Sequence, residues 1–257
     1  QREQATTDLT GSTGLSATVT GSPRTWTTTY DTYGQILTAN GPRTDVADVT
    51  TTTYYAADDP DLGKRGNIAT VTNALGHLSR YTAYDLNGRP LAITDPNGTV
   101  TTLSYTPRGW LKTRSSNGLT STYDYDGVGQ LTAVTRPDCS KILYSYDQAH
   151  RLNSITDLKG NRIEYTLDPM GNITKTEWLN ADGTPAKRQD AGFDALGRLQ
   201  SAFATRDAIN YATTFGYDPN GNPTTITDPR SKTTATQYDA LNRPSRIIDA
   251  LNGQTIP

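Results

Sequence analysis

The stretch "SYTPRGWLKTRSSNGLTSTYDYDGVGQLTAVTRPDCSKILYSYDQAHRLNSITD", residues 104–157, contains one short phrase three times. Each copy has a tyrosine, usually an aspartate, two variable positions and a glycine or its substitute. The copies begin at Tyr105, Tyr125 and Tyr146. A phrase that recurs at a fixed period of about 20 to 50 residues indicates a repeat architecture, in which each unit is one supersecondary element. The repeat therefore decides the fold class before length does.

Aligning the whole chain on this phrase extends the repeat over nearly all of it, with a period of about 21 residues. The first positions of the copies are Tyr30, Leu62, Tyr84, Tyr105, Tyr125, Tyr146, Leu167, Phe193, Tyr217 and Tyr238. The remaining positions that we predict to define the repeat are Asp31, Gly34, Gly66, Asp85, Gly88, Arg89, Gly109, Asp126, Gly129, Asp147, Asp168, Gly171, Asp194, Gly197, Arg198, Asp218, Gly221, Asp239 and Arg243, with His150 in one glycine position.

The D-x-x-G part of the phrase predicts a turn. Aspartate is preferred at the first position of a type I turn because its carboxylate accepts hydrogen bonds from nearby backbone amides. Glycine is preferred at the fourth position because it adopts positive φ without steric cost. A second turn signal recurs about half a period away, as in "TDPNG" at 94–98 and "TDLKG" at 156–160. Each repeat therefore contains two turns.

The residues around each turn predict strands. Apolar and aromatic residues alternate before the turn, as at 142–146 and 163–167, which indicates a strand with one packed face. After the turn, Leu131 and Val134 lie three positions apart and cannot share a face of a regular strand. The abundance of Thr, Val and Ile still favours a strand, so we predict a second strand that is bulged or apolar on both faces.

The predicted fold class is all-β, with tandem β-hairpin repeats that form a long antiparallel sheet. Strand twist makes such a sheet coil into a spiral. We expect a single β domain over residues 1–257, with a degenerate repeat in 1–29. Irregular spacing predicts loop insertions at 38–61, 174–190 and 202–214. The open edges of the sheet would allow oligomers to form.

Composition excludes several classes of protein. Hydrophobic residues make up 33%, charged residues 19%, and the formal net charge is −2, so we expect a thin core and no nucleic-acid partner. Cys139, His77 and His150 are too few for a usual zinc site, and we predict no metal and no cofactor. No apolar run approaches the roughly 20 residues of a membrane span, so none is predicted. Because the chain begins at Gln1, we expect it to be part of a longer polypeptide.

Two further patterns allow more than one interpretation. The cluster of Asp58, Asp59 and Asp61 fits catalytic carboxylates or a calcium site, but it lacks EF-hand spacing, and a solvated turn explains it more simply. Exposed tyrosines, with Trp110 and Trp178, fit a sugar-binding platform, whereas packing between strands explains most of the tyrosines. No nucleophile–histidine–carboxylate set can be assembled from two histidines. We therefore predict no catalytic residues and no enzymatic activity.

The tandem copies resemble the YD repeats of the RHS family. The resemblance is carried by "YDLNGRPLAITDPNG" at 84–98, "FDALGRLQSA" at 193–202, "YDPNGNPTTITDP" at 217–229, "YDALNRPSRIIDALNG" at 238–253 and "DPDLGKRGNIATVTNALGH" at 59–77. It implies a spiral β-sheet that wraps into a hollow cocoon. In bacterial toxins of this family the shell encloses a toxic C-terminal domain, and teneurins carry a related shell.

The chain departs from the family at the D-P-x-G-L autocleavage motif. The nearest match, Asp168-Pro169-Met170-Gly171-Asn172, lies in mid-chain and ends in Asn. The resemblance implies a structural segment of a secreted or exported bacterial protein that encloses or displays a C-terminal cargo domain of the same polypeptide. Its implied partners are that polypeptide and components of a secretion system or toxin complex. The alternative is a β-repeat module that binds glycans or a cell surface.

Overall fold

The computed structural model describes residues 2–10, 18–43, 45–46, 48–206 and 209–256. Throughout these ranges the chain forms strands and turns, and no helix in them is long and apolar enough to cross a membrane. The chain divides into two compact units, Gln1–Thr122 and Tyr123–Pro257. The predicted all-β fold class is therefore confirmed.

The first unit is an antiparallel meander in which each strand pairs with the next one along the chain. Its strands are β1 (Arg2–Thr10), β2 (Thr18–Tyr30), β3 (Ile36–Asn40), β4 (Val49–Tyr54), β5 (Ile68–Thr72), β6 (Leu78–Tyr84), β7 (Pro90–Thr94), β8 (Val100–Tyr105), β9 (Leu111–Ser116) and β10 (Leu119–Tyr125).

The second unit continues with the same topology. Its strands are β11 (Leu131–Thr135), β12 (Lys141–Tyr146), β13 (Leu152–Asp157), β14 (Arg162–Leu167), β15 (Ile173–Leu179), β16 (Pro185–Phe193), β17 (Leu199–Arg206), β18 (Ile209–Tyr217), β19 (Pro223–Thr227), β20 (Thr233–Tyr238), β21 (Pro244–Ile248) and β22 (Gln254–Thr255).

A bulge follows each of the YD turns whose strand pairing is described. In the β12–β13 hairpin, Tyr146 pairs with Leu152 while Tyr144 pairs with Ile155, so the second strand contains one extra residue. Directly paired residues share a face of the sheet, and Leu152 and Ile155 therefore lie on the tyrosine side although they are three positions apart. The predicted bulged second strand is confirmed, and the bulge explains the three-residue apolar spacing.

The sheet has very little interior. Among the residues whose burial is described, 24–43, 45–46, 48–203 and 211–256, only Gly63, Ala133 and Leu179 are buried, and no polar side chain there is buried. Strands such as β5 and β7 are half-buried along their whole length, which means that both faces are partly covered. The predicted thin core is present, and polar contacts must carry more of the stability than in an ordinary globular domain.

The predicted loop insertions need correction. Residues 174–190 form most of β15 and β16, and residues 202–214 belong to β17 and β18 where they are described. The additional residues lengthen hairpin strands, and the exposed charged side chains pair along the strand, as Arg188 does with Asp190 at 2.7 Å. The 38–61 segment includes β4. Parts of the 1–29, 38–61 and 202–214 predictions lie outside the described residues.

Replacing a turn glycine that has positive φ is expected to destabilise the sheet. Gly221 has φ of +89°, and a Cβ at this position would have no heavy atom within 4 Å. Gly221→Ala should therefore lose about 1–2 kcal/mol of unfolding free energy, because only the left-handed backbone opposes it. Chemical denaturation followed by circular dichroism measures the change.

Gly127→Ala is the matched control. A Cβ at Gly127 would also have open space, and Gly127 is not among the positive-φ residues. Its stability should stay the same or rise slightly because alanine restricts the unfolded chain. Equal losses in the two variants would contradict the turn assignment.

The tyrosine–aspartate turns as the candidate functional site

The turn aspartate organises its own hairpin. In the turn after β12, Asp147 Oδ1 accepts hydrogen bonds from the backbone N–H of Ala149 and of Arg151, each at 2.9 Å. The backbone N–H of His150 donates to the Asp147 carbonyl at 3.0 Å, and that of Asp147 donates to the Arg151 carbonyl at 2.9 Å. This is a type I turn closed by a left-handed residue, the usual geometry of a three-residue hairpin loop.

The same carboxylate contacts recur along the chain. The side chains whose Oδ1 atom accepts from the amide four residues later include Asp31, Asp85, Asp126, Asp147, Asp168, Asp194, Asp218 and Asp239. Positive φ is found in the glycine position at Gly34, Gly66, Gly88, Gly109, Gly129, Gly171, Gly197 and Gly221, and at His150 and Asn242. Each predicted aspartate and glycine therefore lies in a turn.

The predicted aromatic positions lie at the ends of strands. Tyr30, Leu167 and Phe193 are the last residues of β2, β14 and β16, and each pairs with the first residue of the following strand. One assignment is different. The structure places Tyr54, and not Leu62, in the second copy of this position, because Tyr54 ends β4 and pairs with Ile68. The D-x-x-G turn is replaced there by a longer loop that still ends at Gly66.

In six of the repeats, a tyrosine hydroxyl ties the repeat to the preceding one. Tyr146 Oη donates to the carbonyl of Leu131, the first residue after the preceding YD turn, at 2.9 Å. The equivalent bonds join Tyr54 to Ile36, Tyr84 to Ile68, Tyr105 to Pro90, Tyr217 to Leu199 and Tyr238 to Pro223. Burial raises the pKa of Tyr84 to about 12, so its hydroxyl keeps its proton and remains a donor at neutral pH.

The residue after the glycine ties the repeat to the next one. Arg151 donates from Nε to Asp147 Oδ2 at 2.7 Å and from Nη1 to the carbonyl of Asp168, in the following turn, at 2.7 Å. Arg198 makes the same pair of contacts, with the second at 3.2 Å to Asp218. We call the combination of the backward tyrosine bond and the forward arginine bond the cross-repeat lock.

The arginine and asparagine partners lower the pKa of the turn aspartates. Hydrogen bonding from the Arg243 side chain is the main cause that lowers the pKa of Asp239 to about 2. A side-chain hydrogen bond is likewise the main cause that lowers the pKa of Asp85, Asp168 and Asp218, with Arg89, Asn172 and Asn222 as the donors. These carboxylates are therefore held in the charged form.

Several residues with structural contacts were not among the predicted site residues. They occupy the position after the glycine, or after His150 in its place, and donate hydrogen bonds from their side chains: Gln35, Gln130, Arg151, Asn172 and Asn222. A signal for them existed, because this position repeatedly holds Arg, Asn or Gln. The acceptors of the cross-repeat bonds are backbone carbonyls. Because every residue has one, the sequence does not reveal which carbonyl accepts.

The other candidate sites have structural contacts. Asp59 and Asp61 use their Oδ1 atoms to accept backbone N–H groups of their own loop, at 2.9 Å and 3.0 Å. Within the described ranges, no three metal-ligating side chains come together. A cation lies over each tryptophan considered for sugar stacking, Arg108 at 5.5 Å from the Trp110 ring and Lys187 at 4.5 Å from the Trp178 ring. Glycan binding stays a prediction.

Comparison with known proteins agrees with a repeat of this kind. The family model described as RHS Repeat matches residues 84–120, 125–162, 193–233 and 217–255, together more than half of the chain. The chain therefore belongs to the RHS repeat family.

Individual relatives include the toxin protein Tse5 of Pseudomonas aeruginosa, which is 28% identical over 173 residues, covering 65% of this chain and 12% of Tse5. Among solved structures, the TcdB2-TccC3 complex superposes with a TM-score of 0.56 and 17% identity over 86% of this chain and 15% of that one. The same complex without its hypervariable C-terminal region superposes with a TM-score of 0.56 and 16% sequence identity, again over 86% of this chain and 15% of that one. The chain thus spans a small part of each relative.

Removing one tyrosine hydroxyl is expected to weaken a lock. Tyr146→Phe deletes the bond to the Leu131 carbonyl and should cost about 1 kcal/mol of unfolding free energy. Tyr144→Phe is the control, since Tyr144 lies on the same strand and has no hydroxyl hydrogen bond with the described residues. Urea denaturation compares the two variants. A loss in Tyr144→Phe as large as that in Tyr146→Phe would contradict the role of the hydroxyl.

We expect the protein to lose unfolding free energy in acid because its turn aspartates become protonated. Their folded-state pKa lies below the ordinary value near 4, so the stability they contribute is complete above that value and is lost as the pH falls toward about 2. Denaturation midpoints measured between pH 5 and pH 2 should therefore fall steadily. Asp239→Asn should make the slope shallower, because Asn keeps the Oδ1 acceptor and does not titrate. An unchanged slope in this variant would show that Asp239 does not contribute.

Proposed function

We propose that the chain is a section of a shell wall that encloses or displays another domain of the same polypeptide. The observation that carries this proposal is the cross-repeat lock in a sheet almost without buried residues. Packing of a core against a second layer is the usual way to stabilise a sheet. Here neighbouring repeats are instead fastened to one another along the sheet, so a thin wall keeps its register without a second layer.

The polar strand side chains support the same role. Threonine and serine hydroxyls pair across neighbouring strands, as in Thr29 with Thr38 at 2.6 Å, Thr53 with Thr70 at 2.6 Å and Ser104 with Thr113 at 2.6 Å. Hydroxyls that are already paired offer few free hydrogen-bonding groups to a neighbouring domain. With a net charge of only −2, such a wall can lie against a cargo domain without binding it strongly.

The relatives suggest what the wall would enclose. One is named a toxin, and another is a complex solved with and without a hypervariable C-terminal region. By analogy, the cargo of this chain would be a toxic C-terminal domain, delivered from a bacterium as part of an exported polypeptide. The role of the repeats themselves is structural and not catalytic, and the partners would be the rest of that polypeptide and components of its secretion or toxin complex.

Protease protection in the complete polypeptide tests this proposal. A domain beyond the repeats should resist trypsin in the wild type. It should be cleaved several-fold faster when three locks are weakened together by Tyr105→Phe, Tyr146→Phe and Tyr217→Phe, because weaker locks raise the population of open wall. Tyr144→Phe serves as the control and should leave protection unchanged.

Two results would overturn the wall hypothesis. One is a non-repeat domain that is cleaved equally fast in the wild type and in the triple variant. The other is a native polypeptide that contains no domain besides the repeats.

A further inference from the structure

The arginine of a complete repeat occupies a fixed place, which we call the cation slot. Its guanidinium lies between the turn carboxylate and the tyrosine ring of the next repeat. Arg89 Nε is 2.6 Å from Asp85 Oδ2, and its guanidinium carbon is 4.7 Å from the centre of the Tyr105 ring. Asp194, Arg198 and Tyr217 repeat this arrangement at 2.7 Å and 4.6 Å. The turn geometry itself therefore builds a site for a planar cation.

The first YD turn has the same site without its own cation. Gln35 stands in the arginine position, and its Nε2 donates to the Gly66 carbonyl at 2.7 Å instead of to the turn carboxylate. Asp31 Oδ1 accepts from the backbone N–H groups of Tyr33 and Gln35, each at 2.8 Å. Asp31 Oδ2 has no hydrogen-bond or ion-pair partner among the residues that the structure describes.

The walls of this empty slot are in place. Tyr54 is hydrogen-bonded to the Ile36 carbonyl at 3.0 Å, as Tyr105 is to Pro90, so its ring takes the position that Tyr105 has in the complete slot. A hollow of about 450 Å³ opens there, and its lining includes Asp31, Tyr33, Gln35, Tyr54 and Tyr55. The volume lies within the range of small-ligand sites, and Tyr33 at its mouth is 77% exposed.

A lysine beside the lining of the hollow is already engaged. Lys64 Nζ lies 5.2 Å from the centre of the Tyr55 ring and 3.8 Å from Asp61 Oδ2. It therefore covers Tyr55 and pairs with another carboxylate, and it forms no ion pair with Asp31. A half-buried carboxylate beside aromatic rings favours an external cation, since the rings add attraction to the ionic contact.

We propose that this hollow binds the guanidinium group of an arginine side chain from another protein segment. The guanidinium donates to Asp31 Oδ2 and stacks on the Tyr54 ring, which reproduces the internal contacts of Arg89. A planar guanidinium fits this pair of walls better than an ammonium group, because it can stack on a ring and donate in its own plane at the same time. The slot thus turns a structural element of the repeat into a binding site.

Titration with N-acetyl-arginine amide tests the site on the intact chain. Calorimetry and tyrosine fluorescence should show saturable binding, and the uncharged analogue N-acetyl-citrulline amide should bind about tenfold or more weakly, since it lacks the charge-assisted contact. Asp31→Asn should abolish binding while it keeps the Oδ1 acceptor of the turn. Gln35→Arg should also abolish binding, because the chain then fills its own slot, and it should raise the unfolding midpoint.

Two control variants separate the slot from a general effect of charge. Asp168→Asn removes an equivalent turn carboxylate that lies outside the hollow and whose Oδ2 already accepts from Asn172, so binding should be unchanged. Arg89→Gln should empty a second slot and add a second binding event. Equal affinity for the citrulline analogue, or undiminished binding in both Asp31→Asn and Gln35→Arg, would overturn the proposal.

A photo-crosslinking amino acid in place of the exposed Tyr33 identifies the source of the arginine. A crosslinked arginine-containing peptide from the same polypeptide would assign the slot to internal assembly. One from a different protein would assign it to a partner. Crosslinked peptides without arginine would contradict the guanidinium assignment.

Discussion

A sheet with almost no buried residues needs another means of keeping its strands in register. The turn carboxylate provides this means, because its two oxygens accept different hydrogen bonds. In Asp147, Oδ1 holds the amides of its own turn, while Oδ2 orients the Arg151 side chain that reaches the next turn. Tyr146 adds the contact in the opposite direction. Local turn geometry and the order of repeats therefore depend on one side chain, and the wall that we propose follows from both.

Much of this fold could be predicted from the sequence because the decisive information is local. A D-x-x-G turn is determined by residues within five positions, and alternation before it identifies the strand. The three-residue spacing of Leu131 and Val134 fits either a bulge or a strand that is apolar on both faces, and only strand pairing, such as that of Tyr146 with Leu152, shows the bulge. The turn aspartates and glycines were recognised for the same reason, since their effect lies in their own backbone.

What escaped prediction depends on longer-range contacts or on pairing partners. The acceptors of the tyrosine bonds are backbone carbonyls, such as that of Leu131, which any residue provides. Leu62 fits the spacing of the repeat, yet Tyr54 takes the position because strand pairing with Ile68 selects it. Irregular spacing predicts a loop at 174–190, but the extra residues lengthen β15 and β16, where charged residues such as Arg188 and Asp190 pair along the strand. The empty slot at Asp31 was equally hidden, because it depends on where the Gln35 amide points.

The direction of the tyrosine contact has a consequence for biosynthesis. In all six of these bonds, the tyrosine hydroxyl donates to a backbone carbonyl that lies 15 to 18 residues earlier in the chain. A ribosome therefore exposes the acceptor before the donor, and the tyrosine of each of these six repeats finds its acceptor already synthesised. Such a chain can assemble in the order of translation, with only its newest hairpin unfastened, and so avoids the slow closure of long loops that delays most β proteins.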